Sequence, residues 1–129
     1  MEGCCLNALY ERRIPASIPS KIWETGGLTE HLGGLDATER LLQQCPLTAG
    51  LQVLDVGCGT GYTAVHLAES YGARVVALDL NPRSLAEARK RAAKDGSHEQ
   101  IRVVQADAHE LPFRSSTFDV AIVESVLVF

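Results

Sequence analysis

The sequence predicts an α/β fold, a parallel sheet with helices on both faces, on three observations. Four short runs rich in Val, Ile and Leu, at 51–56, 74–79, 101–105 and 118–124, lack the strict alternation of a half-solvated strand, so both of their faces are expected to be buried. Apolar residues at helical spacing fill the first two intervals between these runs. A glycine-rich turn leaves the first run and an acid closes the second.

Each element has its own local warrant. Over 1–34 the prolines Pro15 and Pro19 and the pairs Gly26-Gly27 and Gly33-Gly34 break up any long helix, which predicts an irregular arm with one short helix. Asp36 is expected to open a helix with Glu39 as its capping-box partner; Leu41, Leu42 and Cys45 form the apolar face and Pro46 ends it. After the first strand, Ala64, Leu67, Ala68 and Tyr71 recur at i, i+3, i+4 and i+7, and Gly72 supplies a stop. After the second, Asn81 is a good N-cap and Pro82 suits the first helical position. Leu85, Ala88 and Ala92 face inward there, and Gly96 terminates. The expected order is βαβαβ, with an arm or lid over 1–35 and the α/β domain over 36–129.

Size and composition narrow the function. A chain of 129 residues with 46% apolar residues has room for one globular domain, and a formal net charge of -4 gives no general attraction to nucleic acid or anionic membrane. A small-molecule ligand is the expectation. The first twenty residues contain no apolar segment of signal or membrane-span length, which implies a cytoplasmic protein. There Cys4, Cys5, Cys45 and Cys58 are expected to be reduced thiols that pack as small hydrophobes. No CxxC pair suggests zinc, and no metal site is expected.

The stretch "VLDVGCGTG" carries the chemistry. Glycines at 57, 59 and 61, between a strand and a helix, let backbone N–H groups approach a ligand that side chains would hold away. The spacing G-C-G-T-G differs from the dinucleotide fingerprint G-x-G-x-x-G, whose third glycine lies one position later, and this disfavours a nicotinamide dinucleotide and an oxidoreductase. Asp79 follows Gly57 by 22 positions, near the offset of about 20 at which an acid reaches a ribose. Its carboxylate would accept from both ribose hydroxyls and repel a 2′-phosphate. Asp55, beside the loop, disfavours a pyrophosphate and favours an ammonium group. Together these point to an amino-acid-bearing nucleoside.

These residues resemble the first two motifs of class I S-adenosylmethionine-dependent methyltransferases, and "ADAHELPFRSSTFDVAIVES" is similar to the D-A-x-x-L-P-F-x-x-x-x-F-D segment of the methyltransferase type 11 branch. The resemblance implies a Rossmann-like sheet in the order 3-2-1-4 and S-adenosyl-L-methionine as cofactor. Gly57, Cys58, Gly59 and Gly61 would line its methionine moiety, Asp55 would help hold the amino group, and Asp79 with Leu80 would receive the ribose side. Asp107 would accept from the adenine N6 amino group with Ala108 beside the ring; the alternative is a solvated turn acid. Glu124 would border the sulfonium or the substrate, or is a strand-end acid in solvent.

The resemblance covers 51–125, against seven strands in the family fold, so the domain is expected to be incomplete at its C-terminus. The Asn/Asp-Pro-Pro-aromatic motif of amino-group methylases is absent after the fourth strand, where Val123-Glu124-Ser125-Val126 stands, in keeping with a small-molecule acceptor. No catalytic base is named; Tyr10, Trp23, His31 and Tyr62 are candidates near the substrate, and a thiol-using reaction such as arsenite methylation has no trusted three-thiol pattern. Two readings follow: a small-molecule methyltransferase, or a non-catalytic S-adenosylmethionine-binding module completed by another chain. With the order 3-2-1-4 the fourth strand is an edge, which predicts a homodimer joined near 118–129.

Overall fold

The computed structural model describes residues 34–124 and, as backbone, the short strand β1 (Cys4–Leu6). Helix α1 (Gly34–Gln43) leads to β2 (Gln52–Val56), α2 (Tyr62–Tyr71), β3 (Arg74–Asp79), α3 (Pro82–Lys94), β4 (Ile101–Gln105) and β5 (Val120–Val123). All pairings are parallel, in the order β1-β5-β2-β3-β4. Counting from β2, the four expected strands stand as 3-2-1-4.

The local signals act as expected in α2 and α3. Gly72 turns left-handed (φ 65°) and its amide returns to Ala68 O at 3.1 Å, while the Ala73 amide reaches Leu67 O at 3.2 Å. The Asn81 side chain accepts from the Arg83 amide at 3.0 Å with Pro82 just inside the helix. At the far end the Ser97 amide bonds Ala92 O at 3.0 Å across left-handed Gly96.

Side-chain alternation across the sheet builds two cores. Val53, Val75, Ala77, Val120 and Ile122 face the buried stripes of all three helices: Leu41 and Leu42, Ala64, Leu67 and Ala68, Leu85 and Ala92. Leu54, Val56, Leu78 and Ala121 face the other way and are covered by the connection 106–118 through Phe113 and Phe118, whose rings meet edge-on at 5.0 Å. Leu42, Leu54, Leu67, Leu78 and Leu85 are fully buried, each contributing about 1.5–3 kcal/mol relative to exposure.

Three expectations are corrected. The fourth predicted strand, β5, is not an edge: Cys4, Cys5 and Leu6, in the region expected to be irregular, pair with Ala121, Ile122 and Val123. A parallel neighbour takes up the backbone groups that self-association was to use, so the expected dimer loses its free edge. Cys45 is not the free thiol expected but is disulfide-bonded. Glu39 does not close a capping box, because α1 starts two residues before Asp36 and Glu39 instead turns to α2, where Oε2 lies 2.7 Å from His66 Nε2.

Candidate functional site

β2 leaves the sheet into the glycine loop, which folds back over the end of β3. The amides of Gly57 and Cys58 both donate to Leu78 O, at 2.7 and 2.9 Å. Gly59 lies at φ +53° and its amide donates to Asp79 Oδ2 at 2.9 Å. A Cβ built on Gly59 meets nothing within 4 Å, so the loop presents bare backbone to open space. The other Asp79 oxygen accepts the Asn81 amide at 2.8 Å, which aims the carboxylate along the loop. Loop and acid, expected as two separate features, are one hydrogen-bonded unit.

Leu80, next along, is 63% exposed. Its carbonyl accepts from Gln105 Nε2 at 3.2 Å, and the Ala106 amide donates to Asp79 O at 3.2 Å, so the ends of β3 and β4 are tied together. Beyond β4, Asp107 Oδ1 accepts the His109 amide at 2.9 Å and lies 2.8 Å from His109 Nδ1. The backbone bond first, then the imidazole, holds this carboxyl below the usual carboxylate range. Asp107 is thus an exposed turn acid at the carboxyl end of the sheet, and Ala108 packs on the second core.

Beneath the loop lie two buried acids. Asp55 is 3% exposed, and its Oδ2 has no hydrogen-bond partner among the described residues. Burial, then the charges of Glu124 and Asp79, push its carboxyl up to about 7. Asp55 registers with Ile122, so Glu124, two residues on, emerges on the same sheet face. Glu124 is buried, not the strand-end acid in solvent that was its alternative. Its carboxylate accepts from Thr38 Oγ1 of α1, 3.1 and 3.3 Å from its two oxygens, and from Thr63 Oγ1 of α2 at 3.3 Å. Cys58 is buried beside them, and burial with the Asp55 charge pushes its thiol well up, so it is a packed, protonated thiol unsuited to nucleophilic work.

Of the substrate-side candidates, Tyr10, Trp23 and His31 lie outside the described residues. Tyr62 is engaged within the fold: its ring stacks on His66 at 6.4 Å and the Arg91 guanidinium lies 5.8 Å above it. The sequence reading missed Thr38, Thr63 and Arg91. Arg91 Nε donates to Thr60 O at 3.0 Å, so α3 grips the glycine loop from outside. The two threonines did leave a signal: each sits on the stripe that its helix otherwise fills with apolar residues.

Among the described residues no group of three or more His, Cys, Asp or Glu could hold a metal ion, and no helix is long and apolar enough to cross a membrane. A groove of about 550 Å³ at the opposite, amino ends of β2, β3 and β4, lined by Arg74, His98, Arg102 and Phe113, includes none of the expected site residues.

A parallel sheet with a glycine turn at the carboxyl end of a central strand, hydrogen-bonded to the acid that closes the next, defines a Rossmann-like domain of the nucleoside-cofactor class. The chain belongs to the methyltransferase domain family, whose model matches residues 53–129, and the family's cofactor is S-adenosyl-L-methionine. It is similar to the uncharacterised methyltransferase YodH of Bacillus subtilis, 40% identical over 100 residues that make up 77% of this chain and 41% of that protein. It is 42% identical over 114 residues to the malonyl-[acyl-carrier protein] O-methyltransferase of Pectobacterium atrosepticum, 87% of this chain and 42% of that one. The crystal structure of an RNA methyltransferase from Salinibacter ruber in complex with S-adenosyl-L-homocysteine matches with a TM-score of 0.64 at 25% identity, over 69% of this chain and 57% of that one. The chain spans about two fifths of the length of the curated relatives it matches.

Proposed function

We propose that this chain carries the cofactor-binding portion of an S-adenosylmethionine-dependent methyltransferase acting on a small molecule. The observation that carries the reading is the Gly59 amide held on the Asp79 carboxylate beneath open space. Each Asp79 oxygen accepts one amide and retains lone pairs for the ribose hydroxyls. Gly57, Gly59 and Gly61 would run beside the methionine moiety, and Leu80 and Ala108 would flank the adenine with Asp107 at its N6 amino group. Asp55 and Glu124 would receive the ammonium group: an orphaned, buried carboxylate oxygen is a costly feature that a cation repays.

When bound, the cofactor supplies an already activated methyl group on a sulfonium. This chain's residues orient that group and exclude water, and no general base is assigned among them. Small-molecule and carrier-linked acceptors are the province of relatives such as the malonyl-carrier enzyme, which supports a non-nucleic acceptor here; RNA, the substrate class named for the Salinibacter ruber neighbour, is the control.

Calorimetric titration with S-adenosylhomocysteine and, separately, NAD should show binding of the first alone. Transfer of a labelled methyl group to members of a small-molecule panel, and not to RNA, supports the enzyme reading. Cofactor binding with no transfer to any acceptor selects the alternative, a binding module completed by another chain.

A further inference from the structure

We propose that the buried acid pair under the glycine loop is a proton-exchanging cation receptor: Asp55 carries a proton while the receptor is empty and releases it to solvent when the cofactor's ammonium arrives. The inference rests on the cofactor reading above and adds the proton to it.

The geometry separates the roles of the two acids. Glu124 is provided with hydroxyl donors from two different helices, Thr38 of α1 and Thr63 of α2. Asp55 Oδ2 has no donor among the described residues and is shut off from water, on the same sheet face as Glu124. On its Oδ2 side this carboxylate has neither solvent nor a donor among the described residues to spread its charge, so a proton is the cheapest neutraliser until a cation comes. The groups that face it reinforce this. Glu124 at the end of β5 and Asp79 at the end of β3 both disfavour a second negative charge, and the Cys58 thiol of the loop contributes none. Arg89 of α3 acts in the opposite sense at Cys58. Thr38 and Thr63, from α1 and α2, do not titrate. The titration range of Asp55, raised to about 7, sits where this exchange would be felt near neutral pH.

The exchange balances without a covalent step. The Asp55 O–H bond breaks, the proton passes to buffer, and the ammonium N–H groups take over as donors. Affinity should therefore fall about tenfold per pH unit below 7, the slope of one linked proton.

Calorimetry of the full chain with S-adenosylhomocysteine in buffers of different ionisation enthalpy counts the protons directly. At pH 6 close to one proton should be released per ligand bound, falling to about a quarter by pH 7.5. Methylthioadenosine, which has the nucleoside but no ammonium, is the control in the unaltered protein and should bind with no proton released. Asp55→Asn should abolish the release; if that variant does not fold, the two ligands on the unaltered chain still decide. Binding of S-adenosylhomocysteine with no proton released at pH 6, or equal release with both ligands, overturns the exchange while leaving the cofactor reading intact. Failure of both ligands to bind at any pH overturns the cofactor reading, and the exchange with it.

Discussion

A Cβ built on Gly61 would stand 2.8 Å from the Cβ of Ala88 and 3.0 Å from its Cα, so helix α3 rests directly on the last glycine of the loop. Gly59, two residues earlier, faces open space. Two glycines of one motif therefore answer to different demands: Gly61 to helix packing, Gly59 to whatever approaches the loop.

Substitutions should separate them. Gly61→Ala combines a left-handed backbone with overpacking against Ala88 and should cost about 2–4 kcal/mol of stability. Gly59→Ala carries only the backbone term, about 1–2 kcal/mol, and Gly59→Val should in addition abolish cofactor binding by filling the open space. Thermal denaturation and calorimetry together check this; equal destabilisation at both positions would mean that α3 yields without cost.

Asp79→Ala should weaken S-adenosylhomocysteine binding by about 1.5–3 kcal/mol, the value of charge-assisted bonds to the ribose. It also strips the acceptor from the Gly59 and Asn81 amides, so the loop should loosen even without ligand. Hydrogen exchange at Gly59 would report the loosening independently of affinity. Unchanged affinity removes the ribose assignment.

Asp107→Ala should remove the preference for adenine over hypoxanthine forms of the cofactor, because adenine donates at N6 and hypoxanthine does not. His109→Ala should leave that preference in place, since it removes only the ring's contact with Oδ1 while the backbone amide at 109 still donates to that oxygen. Discrimination that survives Asp107→Ala would leave Asp107 as a turn acid alone.

Asp55 makes stability depend on pH in a direction opposite to that of a paired carboxylate. In the unfolded chain its carboxyl loses the proton near 3.8, whereas in the fold it keeps the proton up to about 7. The folded state binds more protons across that window, so stability falls as pH rises from about 4 to about 7 and then levels. Asp55→Asn should flatten this slope and stabilise the ligand-free protein by about 2–4 kcal/mol at pH 8, read from urea unfolding at several pH values. An unchanged slope would mean that another group supplies it.

What could be read from the chain was what is encoded within one element or at one junction. The strands β3 and β4 stand at their expected residues, α3 begins at its Asn81-Pro82 signal, and α2 ends at Gly72, because periodicity, caps and left-handed glycines act over a few residues. The glycine loop and Asp79 were legible for the same reason: a strand ending in bare backbone is local, and the offset to the acid is one βα unit long.

Tertiary structure decided whatever required two distant segments to meet. Glu124 read either as a residue bordering the sulfonium or substrate or as a strand-end acid in solvent, and its burial was decided only when Thr38 and Thr63, 86 and 61 positions away, closed over it. Glu39 read as a cap until α2 brought His66 to it. β5 read as an edge until Cys4–Leu6 paired beside it. Asp55 shows the division most plainly: its residue type and place in the motif are in the sequence, but its burial, an Oδ2 without a donor among the described residues, and its acidic neighbours exist only once three strand ends converge. Desolvation and charge proximity are properties of that convergence, and no local pattern contains them.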